Sequence, residues 1–244
     1  RLYYFCPVFR YERPQSGRYR EHHQFGLEAI GDADASVDAE VVGLAWRLMG
    51  ELGLRNLSLL TNSIGDGNCR PGYLKELKDY YGRHLGSLCT ECQGRYDRNP
   101  LRLLDCKQEN CRTLSVAAPR SVDHLCQECR DHWEQFQLYV GAYDIPLTID
   151  HQLVRGLDYY TRTVFEIQPE GGGAQSTICG GGRYDRLIEQ LGGRSIPGVG
   201  FATGMERLVL NLKKQEIPIP ESYPSPVVIA HTGTESRLEA LRLA

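Results

Sequence analysis

Alternating hydrophobic and polar positions predict two β-strands at the beginning of the chain. The first strand covers residues 1–12 and the second covers residues 22–30, with a turn signal at 13–17 between them. Paired as a hairpin, the two strands have one apolar face and one polar face. The polar face carries Arg10, Glu12, Gln24 and Glu28. Alternation alone leaves two interpretations of this face open, a solvated sheet surface and the floor of a binding site.

Helical periodicity begins after the second strand. Apolar residues recur every three to four positions over 34–52, where Asp34 or Ser36 is a suitable N-cap. The same pattern predicts a helix that starts at Pro71 and another over 124–140. Further helices are predicted over 184–191, after Gly204 and over 234–243. Short apolar runs predict strands over 57–62, 163–167, 177–179 and 227–230.

Two features of the later part of the chain suggest ligand contacts. The glycine run 180–182 is predicted between the strand 177–179 and the following helix, although such runs mark hairpin turns as often as binding sites. Arg207 lies in the first turn of a predicted helix, where a positive charge opposes the helix dipole. A bound anion would compensate that arrangement.

Composition excludes some classes of protein. The 244 residues include 41% hydrophobic and 24% charged residues, which is typical of a globular protein. No apolar run approaches the roughly 20 residues that a membrane helix needs. The net charge of −3 argues against binding nucleic acid through bulk positive charge, but a local basic patch remains compatible with an RNA substrate.

Seven of the nine cysteines lie between residues 69 and 129. Because no secretory signal is visible, we expect reduced thiols in the cytoplasm rather than disulfides. The pairs Cys89/Cys92 and Cys126/Cys129 have the spacing of zinc knuckles and are predicted to supply four thiolates to one Zn²⁺. Two alternatives stay open: Cys106 and Cys111 as rival ligands, and unligated cysteines packed as small hydrophobic residues.

The segment 153–166 combines an arginine, two tyrosines and a strand. Arg155 precedes a glycine, so its guanidinium can reach a phosphate or carboxylate where the backbone also comes close. Tyr159 and Tyr160 each offer a flat ring and a hydroxyl. A surface loop leading into a strand would have similar spacing.

Four stretches together resemble the histidyl-tRNA synthetases, a family of class II aminoacyl-tRNA synthetases. Residues 9–28 resemble class motif 2, residues 155–166 and 180–185 the two histidine signatures, and residues 198–208 class motif 3. They occur in the family's order. The resemblance implies an α/β (α+β) fold, in which the antiparallel sheet of the class II catalytic core is interrupted by a helical insertion domain.

The resemblance also implies roles for individual residues. It assigns ATP contacts to Arg10, Glu12, Arg18 and Arg207. It assigns histidine contacts to Arg10, Gln24, Glu28, Arg155, Tyr159, Tyr160 and Tyr184. Arg10 and Arg155 are expected to be the catalytic residues, because they would stabilise the charge that grows on the α-phosphate.

From the resemblance we expect four parts: catalytic core (1–65), insertion domain (66–145), catalytic core (146–216), and a linker with the start of an anticodon-binding domain (217–244). ATP with Mg²⁺, histidine and tRNA(His) are the expected substrates, and a homodimer is expected to form through segments outside this chain. Class motif 1 has no match, so we expect a fragment that is inactive by itself. Arg95, Arg98 and Arg102 are candidates for tRNA phosphate contacts, although a solvated charged surface explains them equally well.

Two relatives without this activity are alternatives. One is a synthetase-like regulatory subunit of ATP phosphoribosyltransferase, which senses histidine and typically has eroded ATP-handling arginines. The other is a synthetase-like domain of a nutrient-sensing kinase. The presence of Arg10, Arg18, Arg155 and Arg207 favours the synthetase over both.

Overall fold

A seven-stranded sheet organises the chain. The computed structural model describes residues 1–11, 19–156, 159–171, 177–218 and 228–243. The strands are β1 (Leu2–Phe9), β2 (Glu21–Ile30), β3 (Leu57–Ser63), β4 (Leu147–Ile149), β5 (Thr161–Pro169), β6 (Cys179–Arg183) and β7 (Gly198–Gly204). Their order across the sheet is β1-β2-β7-β6-β5-β3-β4, and all neighbours pair antiparallel except β3 and β4. The predicted α/β fold with an antiparallel core sheet is therefore confirmed.

Eight α-helices accompany the sheet in the described part of the chain. They are α1 (Ala35–Glu51), α2 (Arg70–Gly82), α3 (Thr90–Arg98), α4 (Glu109–Val116), α5 (Gln127–Gly141), α6 (Leu187–Gln190), α7 (Met205–Lys214) and α8 (Thr234–Leu243). The Asp34 side chain caps α1 by accepting the Ser36 N–H at 2.8 Å, as predicted. None of these helices combines the length with the apolar character that a membrane crossing demands.

The back face of the sheet carries the main hydrophobic core. Apolar residues of β2, β5 and β7, including Phe165 and Phe201, pack there against α1 and α5. The apolar side of β1 is left exposed: Tyr3, Phe5 and Phe9 have 80%, 61% and 73% of their surface accessible. These residues stay exposed because β1 is the edge strand of the sheet, whereas α1 packs on the strands nearer its centre.

The residues between β3 and β4 are divided between two cores. A second core contains apolar residues of α2, cysteines of α3 and α4, and Val154 from the segment before β5. The helix α5 instead packs against α1 in the main core. The last helix of the segment predicted as one insertion domain, 66–145, thus packs in the main core. Its boundaries remain a prediction.

A buried ion pair joins the sheet to α1. Arg183 at the end of β6 is fully buried, and its Nε donates to the Asp38 carboxylate at 3.0 Å. His132 on α5 reaches the same carboxylate at 3.4 Å. Although burial alone would raise the pKa of Asp38, His132 and Arg183 hold it below its usual value. Arg183 thus has a structural role, which the sequence did not reveal.

Two predictions about elements need correction. The glycines 180–182 do not follow a strand as a turn, because they form the middle of β6 between two paired neighbours. No strand is formed by residues 228–230, the described part of the predicted strand 227–230. The predicted turn at 13–17 lies outside the described residues, as does most of the expected linker.

Candidate active site

The front face of the sheet, opposite α1, has a floor of glycines. At four glycines from three adjacent strands, a side chain would project from this face: Gly26, Gly180, Gly182 and Gly200. A Cβ atom at Gly180 would lie 2.7 Å from Arg155 Nη1, and one at Gly200 would lie 1.7 Å from Glu28 Oε2. The absent side chains therefore leave room for the half-buried side chains of Arg155 and Glu28 to lie across the sheet.

Glu28 on β2 is the centre of one half of the site. The Tyr184 hydroxyl donates to Glu28 Oε2, and the Tyr4 hydroxyl also hydrogen-bonds this carboxylate. Burial raises the pKa of Glu28, and the two hydroxyl donors offset part of that rise. Burial together with the Glu28 charge raises the pKa of Tyr4 to about 12. A half-buried carboxylate of this kind is suited to accepting hydrogen bonds from a cationic or N–H ligand.

Aromatic rings form the wall beside this carboxylate. The rings of Tyr159 and Tyr160 are 4.6 Å apart, and Tyr159 meets Tyr184 edge-on with 6.2 Å between centroids. Gln24 lies four residues before Glu28 on β2, on the same face of the sheet. Besides Arg10 and Arg155, five residues were predicted to contact histidine. The structure places all five on this side of the sheet: Gln24, Glu28, Tyr159, Tyr160 and Tyr184.

Tyr4 belongs to the same group but was missed from the sequence. The alternation of β1 places it on the face of Cys6 and Arg10, which is the information that could have identified it. Its ring lies directly over Gly26, where a Cβ atom would come within 2.2 Å of the ring.

Arg155 occupies the other half of the site. Its Nη1 pairs with Glu166 on β5, and its Nε has no hydrogen-bond partner among the described residues. Burial would lower the pKa of Arg155, but the charge of Glu166 and the Tyr160 hydroxyl outweigh it and raise the pKa. The guanidinium therefore keeps its charge, and its buried Nε–H group can donate a hydrogen bond to a ligand.

A short network connects Arg155 to Arg207 on α7. The Thr177 hydroxyl donates to Glu166 Oε2 at 2.6 Å, and Arg207 Nη1 donates to the Thr177 carbonyl at 2.8 Å. Arg155 and Arg207 are thus connected through Glu166 and Thr177. Neither Thr177 nor Glu166 was predicted as a site residue.

Arg10 lies at the end of the site nearest the hairpin turn. Its Nη2 is 3.5 Å from His22 Nε2, and its backbone N–H donates to the Arg20 carbonyl at 2.7 Å. Burial and the nearby Arg10 charge lower the pKa of His22, which favours a neutral imidazole. The other two predicted ATP contacts, Glu12 and Arg18, lie outside the described residues.

The cysteines form two clusters rather than the one predicted. Cys89 and Cys92 lie with Cys106 and Cys111, whereas Cys126 and Cys129 lie with Asp66 and Cys69. The two CxxC pairs therefore do not share one metal site. The physical reason is that α5, which begins after Cys126, packs on α1 and carries its pair away from the second core.

The comparison with protein families agrees with this geometry. A model of the family described as "Histidyl-tRNA synthetase" matches residues 1–65 and 78–208. The histidine–tRNA ligase of Dehalococcoides mccartyi strain 195 is 56% identical over 245 residues, covering 100% of this chain and 58% of the relative. That of Thermotoga maritima is 50% identical over 244 residues, with the same coverage. The chain thus spans somewhat over half the length of these relatives.

Solved structures give the same picture. The apo histidyl-tRNA synthetase of S. aureus superposes with a TM-score of 0.73 at 38% identity, covering 99% of this chain and 58% of that one. A Bacillus halodurans protein described as an ATP phosphoribosyltransferase regulatory subunit/histidyl-tRNA synthetase has a TM-score of 0.56 at 23% identity, covering 86% of this chain and 58% of that one. The second likeness concerns the fold alone.

Proposed function

Because the chain belongs to the histidyl-tRNA synthetase family, we propose that the protein is a histidine–tRNA ligase. Its carboxylate substrate, histidine, would attack the α-phosphorus of ATP to give histidyl-adenylate and pyrophosphate. A terminal ribose hydroxyl of tRNA(His) would then take the histidyl group. No covalent bond to the enzyme is formed in this scheme, so catalysis would rest on orientation and on stabilising charge.

The observation that carries this proposal is the guanidinium of Arg155, whose buried Nε has no hydrogen-bond partner among the described residues, on the same sheet face as Glu28. A ligand whose imidazole or ammonium group meets Glu28 would place its carboxylate on the same sheet face as Arg155. Arg155 and Arg10 would stabilise the charge on the α-phosphate, and Arg207 would draw charge toward the pyrophosphate. Glu12 and Arg18 are proposed ATP contacts on the family resemblance only.

Further components complete the proposal. Mg²⁺ bound with ATP would offset the charge of the phosphates, and a structural Zn²⁺ would stabilise the segment between α2 and α5. We place the enzyme in the cytoplasm, a reducing compartment suited to its nine free cysteines. A homodimer would form through segments outside this chain. Contacts of tRNA phosphates with Arg98 are proposed because Arg98 lines a cavity that Arg155 also lines.

The test is histidine-dependent exchange between ATP and pyrophosphate, measured on the complete protein with other amino acids as controls. Arg155→Ala is expected to lower the exchange by orders of magnitude with the fold intact, since it removes a charge that acts on the transition state. The control is Arg47→Ala, which alters an arginine with 83% of its side chain exposed on α1. Exchange that survives Arg155→Ala nearly unchanged would refute the assignment. Histidine binding without exchange would instead identify a histidine sensor.

A further inference from the structure

Four cysteine sulfurs come together in the second core. Cys89 is the N-cap of α3 and Cys92 lies in its first turn, whereas Cys106 precedes α4 and Cys111 lies within it. All four sulfurs lie within 4.8 Å of one another. We infer that these four thiolates bind one Zn²⁺ ion, and that the ion stiffens the wall behind Arg155.

The distances fit a tetrahedral zinc site. With a Zn–S bond of about 2.3 Å, neighbouring sulfurs of a tetrahedron are about 3.8 Å apart. The sulfurs of Cys89 and Cys106 are 3.8 Å apart. A disulfide would need about 2.05 Å, and all nine cysteines of the chain are free. The spacing is therefore that of ligands around an ion and not that of a covalent pair.

The surroundings also suit a metal-bound thiolate. The Cys89 backbone N–H points to the Cys111 sulfur at 3.3 Å, and the Cys92 backbone N–H hydrogen-bonds the Cys89 sulfur. Two of the four sulfurs therefore accept backbone N–H groups. Cys92, Cys106 and Cys111 are buried, with 0%, 6% and 0% of their surface accessible. Unpaired thiolates at this depth would be costly, and a divalent cation removes that cost.

The elements that carry these ligands are short. The helix α3 has nine residues, the 3₁₀ turn Pro100–Leu103 has four, and α4 has eight. Isolated helices below about 12 residues are marginal in water. An ion that joins both helices and the segment between them would supply stability that their own length does not.

The same segment forms the wall behind Arg155. Arg102 Nη1 is 2.8 Å from the position that a Cβ of Gly156 would take, and Arg102 pairs with Asp105 at 3.3 Å, one residue before Cys106. Leu103 and Val154 lie in the same buried cluster as the cysteines. Zinc would therefore act on Arg155 as a positioning element, through packing, without touching a substrate.

The second cluster, formed by Asp66, Cys69, Cys126 and Cys129, has a carboxylate in place of the fourth thiolate. The carboxylate of Asp66 already accepts the backbone N–H groups of Asn68 and Cys69, at 2.9 and 3.4 Å. Arg162 also lies 3.7 Å from this carboxylate. Because this cluster supplies only three sulfurs and a carboxylate that already has other partners, we assign the ion to the four-thiolate cluster.

Zinc content provides the test, and it does not depend on the activity proposed above. The complete protein is purified from zinc-supplemented medium, and its metals are measured by mass spectrometry. Cys106→Ser and Cys111→Ser are each expected to lose about one zinc per chain relative to the wild type, since a structural site needs all four ligands. Cys6→Ser, which changes a free cysteine on β1 outside both clusters, is the control and is expected to keep the wild-type content.

Cobalt substitution tests the metal site in the wild-type protein, so its result does not depend on whether the cysteine variants fold. Wild-type protein stripped of metal and refilled with Co²⁺ is expected to show the thiolate-to-cobalt absorption of four sulfur ligands, and stripping is expected to lower its unfolding midpoint. Removing the ion should also weaken ATP–pyrophosphate exchange more than histidine binding. Wild-type protein without zinc, iron in place of zinc, or loss of the ion from Cys126→Ser but not from Cys106→Ser would each overturn the assignment.

Discussion

Gly180→Ala isolates the contribution of the glycine floor to the position of Arg155. A methyl group at Gly180 would lie 2.7 Å from Arg155 Nη1 and 3.0 Å from its Cζ. Ordinary contacts between such atoms begin near 3.4 Å, so the guanidinium must move by about 0.7 Å. The backbone itself can accept alanine, because Gly180 is not among the described glycines with positive φ.

The displacement sets the expected magnitude. Arg155 is held in place, because its Nη1 pairs with Glu166 and its Nε is buried. A misplacement of about 1 Å in an active site can cost about 100-fold in rate. We therefore expect Gly180→Ala to lower histidine-dependent ATP–pyrophosphate exchange by about 10- to 100-fold, which is about 1.4–2.7 kcal/mol of transition-state stabilisation.

The matched control is Gly72→Ala on α2. A Cβ atom there meets no other atom within 4 Å, and alanine should stabilise the helix by about 0.5–1 kcal/mol. Exchange and thermal unfolding would be measured on both variants of the complete protein. Exchange by Gly180→Ala within twofold of the wild type would show that Arg155 tolerates displacement, and the proposed dependence on its position would be wrong.

Two further predictions concern buried charge. Asp38→Ala is expected to destabilise the protein by about 3–5 kcal/mol in urea unfolding, because the buried Arg183 then loses one of its two carboxylate partners and keeps only Asp185. Glu40→Ala, which breaks the exposed pair with Arg1, should cost less than about 1 kcal/mol. Equal losses would contradict this reasoning. Glu28→Gln is expected to raise the unfolding midpoint at pH 7 and to weaken histidine binding. Because folding raises the pKa of Glu28, the ionised carboxylate lowers the free energy of unfolding at pH values above that pKa. This loss of stability disappears at lower pH, where the carboxyl group is protonated in both the folded and the unfolded state. The gain should therefore shrink as the pH falls toward 4, and a lower midpoint for the variant at pH 7 would contradict the sign.

The local elements of the protein were largely readable from the sequence. The period of α1, its Asp34 cap and the alternation of β2 depend on neighbours within a few residues, so pattern and capping chemistry suffice to place them. The family resemblance likewise pointed to Arg155, Glu28 and Tyr184 before their geometry was known. These residues were recognisable because each stands within a short motif, whose residue types and spacing are visible in the sequence.

Tertiary structure alone decided which distant residues meet. Gly180 looks like a turn residue in isolation, and only its pairing with β5 and β7 makes it part of a floor under Arg155. The cysteine grouping depends on where α5 docks, which no local spacing encodes, so Cys89 met Cys106 rather than Cys126. Pairings between residues far apart in the chain follow from the packing of whole elements, and that packing is determined by the complete core rather than by any one segment.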